Sequence, residues 1–207
     1  TVSLCWRSGR LRTEEAARKK LAVLPDGVYE VSDLMEHNGH VNDLYEVGGK
    51  LTVKQGHLYF EFTGVPQTNG LINATGPDIL GYVTSAVSMM LFWDLPVNEG
   101  VRRVFSLSAA LGSVICSVEP APVSAAHMDG SEKIMTCACK LIAQAMAASS
   151  DPVFKQRASA PYGASVSICV FAGLDKGGTF KVFADMTAIA CGAGASPTAD
   201  GLDGGGP

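Results

Sequence analysis

Apolar and polar positions alternate along this chain with two different periods, and the switches between them mark its elements. From Val28 to Leu34 the period is two and the residue types favour extended backbone, which predicts a strand. Leu51-Thr52-Val53-Lys54 and His57-Leu58-Tyr59-Phe60-Glu61-Phe62 repeat that alternation on either side of Gln55-Gly56, the pattern of a hairpin closed by a glycine-containing turn. The period then lengthens. Ile79, Tyr82, Val83, Ala86, Val87 and Met90 recur at helical spacing behind Thr75-Gly76-Pro77, where the proline suits the first helical turn, so a helix from Asp78 to Trp93 is expected to pack on the sheet. A second long helix follows Asp129. Ile134, Ala138, Leu141, Ile142 and Ala145 form its apolar face, and Asp129 with Glu132 makes a start like a capping box.

Shorter runs complete the pattern. Val101 to Leu107 and Val114 to Val118 read as strands around Gly112, and the prolines of Glu119-Pro120-Ala121-Pro122-Val123 hold the next stretch extended. Val166 to Phe171 and Phe180 to Ala184 read as two strands joined across Asp175-Lys176-Gly177-Gly178. Near the start, Thr13 caps a helix with Glu14 and Glu15 in its first turn and Arg18, Lys19 and Lys20 in its last, ended by Pro25-Asp26-Gly27. Thr13 to Leu24 looks like the exposed face of one helix, and Thr1 to Arg12 is ragged sequence with no evident partner. The fold class expected is α+β: an antiparallel or mixed β-sheet with two main packed helices.

Composition narrows the function classes. The chain has 207 residues and 47% hydrophobic content, enough for a folded core. The net charge is -4, although the first twenty residues alone carry about +4. A basic end on an otherwise acidic surface is too local to follow a phosphate backbone, so no nucleic acid is expected as a partner. Ile79 to Leu95 contains Asp94, Thr84, Ser85 and Ser88 and is shorter than the roughly 20 apolar residues of a membrane span, so no membrane is implied. Six cysteines, Cys5, Cys116, Cys137, Cys139, Cys169 and Cys191, show no CxxC spacing and no signal sequence precedes them, which suits a reducing cytoplasm. Cys137 and Cys139, two apart on a helix, point about 200° away from each other and read as core thiols.

The candidate functional residues lie in loops. Asn73 and the Asn98-Glu99 pair flank the first long helix, about 25 Å apart along it, so they are not expected to meet in one site. Turn geometry alone is the favoured reading of Asn73, Asn98 and Gly100. Gly192 and Gly194, in Cys191-Gly192-Ala193-Gly194-Ala195, would let backbone approach a ligand closely, but the segment lacks the spacing of a nucleotide-binding loop. Asp129 sits where a helix N-terminus attracts anions and reads first as a cap. His37, His40, His57 and His127 show no converging metal-ligand spacing, and no serine or cysteine shares a motif with a histidine.

The order of these loops carries a family resemblance. Phe62-Thr63-Gly64-Val65-Pro66-Gln67, then Gly70-Leu71-Ile72-Asn73-Ala74, then an amphipathic helix, then Leu95-Pro96-Val97-Asn98-Glu99-Gly100, resembles the B subunit of the hydantoinase/5-oxoprolinase family. Leu24 to Glu30 upstream, and Cys191 to Ala195 with Ala199-Asp200-Gly201, add to it. The start of the second helix, His127 to Glu132, departs from the Gly-Asn-rich start of many relatives. The resemblance implies that residues 13–207 are the central portion of a larger subunit, with 1–12 matching poorly. It implies an ATP-dependent hydrolase of cyclic amides working with an A subunit that binds ATP and magnesium, or alternatively a subunit of an acetone- or acetophenone-carboxylase-like ligase acting on a ketone. A third reading is a structural module without catalysis of its own. The family's divalent metal, zinc or manganese, is expected upstream of these residues, so no metal ligand and no cofactor is assigned here. The Gly192 to Gly206 tail is expected to be the most mobile part.

Overall fold

The computed structural model describes residues 2–126, 128–159, 167–189 and 194–201, with the side chains of 2–7, 167–171 and 183–189 left aside. His127, Gly192 and most of the glycine-rich tail lie outside the described residues, and with them the expectation for that tail.

Three strands form an antiparallel meander. β1 (Gly27–His37) pairs with β2 (Asn42–Lys54), and β2 pairs with β3 (His57–Gly64). The β2–β3 hairpin closes on Gln55 and Gly56, both with positive φ, the mirror-image turn that matches the twist of two-residue hairpins. β4 (Phe105–Ala109) joins the far side of β3 in parallel, so the sheet is mixed in the order β1-β2-β3-β4. One face is apolar: Val47, Leu51, Val53, Leu58, Phe60, Phe62 and Phe105 are buried. Phe60 meets Phe105 edge-on at 6.1 Å, and burying a phenylalanine of this kind contributes about 1.5–3 kcal/mol.

The helices cover that face. α1 (Val2–Leu21) precedes the sheet, α2 (Gly76–Leu91) and the single turn α3 (Glu99–Arg102) lie between β3 and β4, and α4 (Gly130–Ala147) and α5 (Pro152–Arg157) follow. α4 lies directly on β1 and β2 and packs on its other side against α2. This close approach needs Gly49, where an added Cβ would meet the Leu141 side chain at 3.1 Å. Because α4 is covered from two sides, Cys137 and Cys139 are both buried despite pointing apart. Asp33, on the inward face of β1, accepts from Lys140 Nζ at 2.7 Å and pairs with Lys133 at 3.5 Å, fastening the outer strand to α4. At the C-terminal end of α2, Lys20 and Arg157 stack on Trp93, which ties α1 and α5 to the same point.

Four local expectations are corrected. α1 does not start at Thr13; it runs through it from Val2, and Thr13 Oγ1 donates to the Gly9 carbonyl one turn back, 3.1 Å away. Nor is Thr13 to Leu24 merely an exposed face, since Ala17, Leu21 and Leu24 are buried. The run from Val101 is helical in its first residues, because Asn98 caps α3 before the chain extends into β4. Val114 to Val118 forms no strand; Ser113 makes isolated bridges to Pro66 and Cys116 within a loop. The late pair is as expected: β5 (Ser167–Leu174) and β6 (Phe180–Ile189) make a two-stranded antiparallel sheet.

Candidate functional site

The loop that leaves β3 and enters α2 converges with the β1–β2 turn and the β4–α4 connection into a hub held by side-chain amides. Asn73 is fully buried at its centre. Its Oδ1 accepts from Thr68 N–H at 2.8 Å, and its Nδ2 donates to the carbonyls of Thr68, Gly70 and Pro122 at 3.0, 2.8 and 2.8 Å. Gln67 repeats the device with both ends of its amide on the backbone of Val118. Asn38, 4% exposed in the β1–β2 turn, accepts from His40 and Val41 N–H through its side chain and from Leu71 N–H through its carbonyl. Glycines close the gaps. At Gly130 a Cβ would lie 2.5 Å from the Ile72 carbonyl, and at Gly70 it would collide with Asn38.

At the centre of the hub Asn73 has no donor to spare for a substrate. Both Asn73 protons are spent on backbone carbonyls, so this residue sets loop geometry. Asn98 is likewise committed: Oδ1 accepts from Gly100 N–H at 2.7 Å and Nδ2 donates to Thr13 Oγ1 at 2.9 Å. Gly100 lets α3 sit against α1, since a Cβ there would lie 2.5 Å from the Arg10 carbonyl. Glu99 is exposed in the first turn of α3. Asp129 holds the N-cap position of α4, its carbonyl accepting from Lys133 N–H, but the side-chain capping box expected with Glu132 does not form. Gly194 is half-buried at the start of the 194–201 segment. Asn73 therefore serves the hub and Asn98 the α1–α3 seam, in different loops.

The second polar constellation lies on the open face of the sheet and was not singled out by the sequence. Register aligns Thr52, Tyr59 and Ser106 in one row across β2, β3 and β4, and Lys50, Glu61 and Ser108 in the next. Thr52, Lys54, Tyr59, Glu61, Ser106 and Ser108 line a concavity of about 580 Å³. Lys50 pairs with Glu61 at 2.6 Å. His57 Nε2 lies 2.9 Å from Ser106 Oγ, and its ring is 4.6 Å from that of Tyr59. Burial, then the positive charges of Arg18 and Arg102, hold the His57 imidazolium below its ordinary pKa, which favours the neutral ring near neutrality. Chemically this is a shallow, hydroxyl-rich surface with one neutral imidazole on a serine. Period-two polarity at 57, 59, 61, 106 and 108 was the available signal; the parallel pairing of β3 and β4, which brings the two runs together, was not.

The two thiols buried on α4 add no further chemistry. Burial pushes the Cys137 thiol up to about 11 and the Cys139 thiol up to about 12, leaving both protonated and inert. No group of three or more His, Cys, Asp or Glu side chains able to hold a metal ion occurs among the described residues. Among them, too, no helix is long and apolar enough to cross a membrane.

Comparison with known proteins follows the same outline as the loops. A sequence model of the hydantoinase B/oxoprolinase family matches residues 1–207. An uncharacterised protein of Methanocaldococcus jannaschii is 25% identical over 135 residues, 65% of this chain and 23% of that protein. The crystal structure of an ATP-dependent caprolactamase from Pseudomonas jessenii superposes on 100% of this chain and 34% of its own, with TM-score 0.81 and 23% identity. A nucleotide-free acetone carboxylase superposes on 96% of this chain and 28% of its own, with TM-score 0.72 and 14% identity. The chain thus spans about a third or less of the length of the proteins it matches.

Proposed function

Since the chain belongs to the hydantoinase B/oxoprolinase family, we propose that it serves in the B-type subunit of an ATP-dependent enzyme that opens cyclic amides such as a hydantoin, 5-oxoproline or another lactam. The family match over all 207 residues carries this reading. In it, an A-type partner uses ATP and magnesium to phosphorylate the amide oxygen, which turns a poor electrophile into a good one before the ring carbon–nitrogen bond is broken. The residues of this chain contribute architecture: the buried amide of Asn73 and the amide of Gln67 fix the loop entering α2, and Asn98 fixes α3 on α1. The zinc or manganese ion implied by the family finds no donor set among the described residues, and no part of the ring opening is assigned to one here. A carboxylase-like ligase acting on a ketone is the second reading, favoured by the likeness to acetone carboxylase.

Assay of the assembled enzyme separates the two. With an A-type partner and a B-type subunit containing this sequence, lactam-dependent ATP hydrolysis with release of the ring-opened amino acid is expected, and the 207-residue chain alone is expected to be silent. Bicarbonate-dependent ATP turnover with a ketone, and none with a lactam, would replace the hydrolase by the carboxylase.

A further inference from the structure

The two edges of the four-stranded sheet are treated differently. β1 is guarded: Glu30 and Glu36 are exposed along it, Asp33 points inward beneath it, and its register breaks between Met35 and His37. Charges, inward carboxylates and bulges are the devices that keep an edge from pairing. β4 has none of them. Phe105-Ser106-Leu107-Ser108-Ala109 carries no charge, no proline and no register shift.

Its backbone is open as well. Val104 O accepts from Leu58 N–H and Ala110 N–H donates to Phe62 O, so the even-numbered groups face β3 and those of Phe105, Leu107 and Ala109 face outward. Arg102 Nη1 takes the Phe105 carbonyl at 2.8 Å. The outward N–H and C=O groups of Leu107 and Ala109 have no partner among the described residues. Leu107 and Ala109 are also half-buried at the rim of the core, so one more strand would finish covering it.

We propose that this edge pairs with the same edge of a second copy of the chain, antiparallel about Leu107. The segment is self-complementary about that residue. Leu107 would exchange both backbone hydrogen bonds with Leu107 of the second copy. On the core face Phe105 would lie against the small Ala109 of the other chain, large against small. On the open face Ser106 would stand across from Ser108 of the other chain as a close, non-hydrogen-bonded pair, where hydroxyl pairs are favourable and like charges are not. An edge of five residues falls short of the roughly 1,000 Å² of a stable interface, so the dimer is weak and concentration-dependent. This inference is independent of the substrate.

Sedimentation velocity on the 207-residue chain over a concentration series tests it, with circular dichroism confirming that each variant is folded. The unmodified chain is expected to shift from monomer to dimer as concentration rises. In the antiparallel register the double variant Ser106→Lys/Ser108→Lys sets lysine against lysine and should remain monomeric. Ser106→Lys/Ser108→Asp sets lysine against aspartate twice and should dimerise. Both variants lose the Ser106 contact to His57 equally, so that loss cannot explain a difference between them. A chain that stays monomeric at every concentration overturns the proposal, as does a dimer that the two double variants affect alike.

Discussion

Single amides decide the loop geometry of this protein. Asn73 bonds to Pro122 as well as to its own loop, fastening together segments 49 residues apart. Removing it strands a buried N–H and several carbonyls, each lacking the water that would otherwise satisfy it. Asn73→Ala is therefore expected to destabilise the fold by about 2–4 kcal/mol, read as a lower urea midpoint. A variant that keeps its midpoint while the assembled enzyme loses turnover would instead make Asn73 a chemical group. The sequence reads Asn73 and Asn98 as turn residues, and both side chains bond within or beside their loops. What it could not show is the acceptor, because an asparagine in a turn has the same spacing whether it faces solvent or a distant carbonyl.

At the scale of elements, long periodic segments were legible and short ones were not. α2 and α4 announce themselves by their apolar faces, and the β2–β3 hairpin by alternation about a glycine turn. Four or five residues after Asn98 have no such redundancy, and a cap on Gly100 N–H settled them as a helical turn. The junction of β1 and α4 carries a pH signature. Burial raises the Asp33 pKa, but the hydrogen bond from Lys140, the Leu34 N–H and the charges of Lys133 and Lys140 outweigh it, and the carboxyl ends below its ordinary value. A carboxylate depressed in the folded state contributes stability above its unfolded pKa of about 4, and loses it as pH falls through the folded value. Unmodified protein should therefore lose more stability than Asp33→Asn between neutral pH and about pH 3, the two converging at the acid end. Parallel stability curves for the two, followed by urea unfolding, would remove Asp33 from this role.

For the whole molecule, the α+β class, the mixed sheet and its helical cover could be anticipated from pattern and from family resemblance together. The parallel placement of β4 could not, because nothing within a strand says which neighbour it will choose. That placement also sets the order of assembly. The β1–β2–β3 meander closes through turns of a few residues, whereas β4 reaches β3 only after the chain from Val65 to Val104 has been gathered in. Each doubling of such a loop adds about 0.6 kcal/mol of closure entropy, and non-local pairings reward the chain only once that cost is met. The meander should thus already be formed at the folding barrier and β4 should dock after it, with high φ-values for Val53→Ala and Leu58→Ala and values near zero for Leu107→Ala. The reverse ranking would place the crossover in the nucleus. In the order expected here, the β3 edge is bare for a time during every folding event, and the strand that later seals it is the one whose own outer edge stays open.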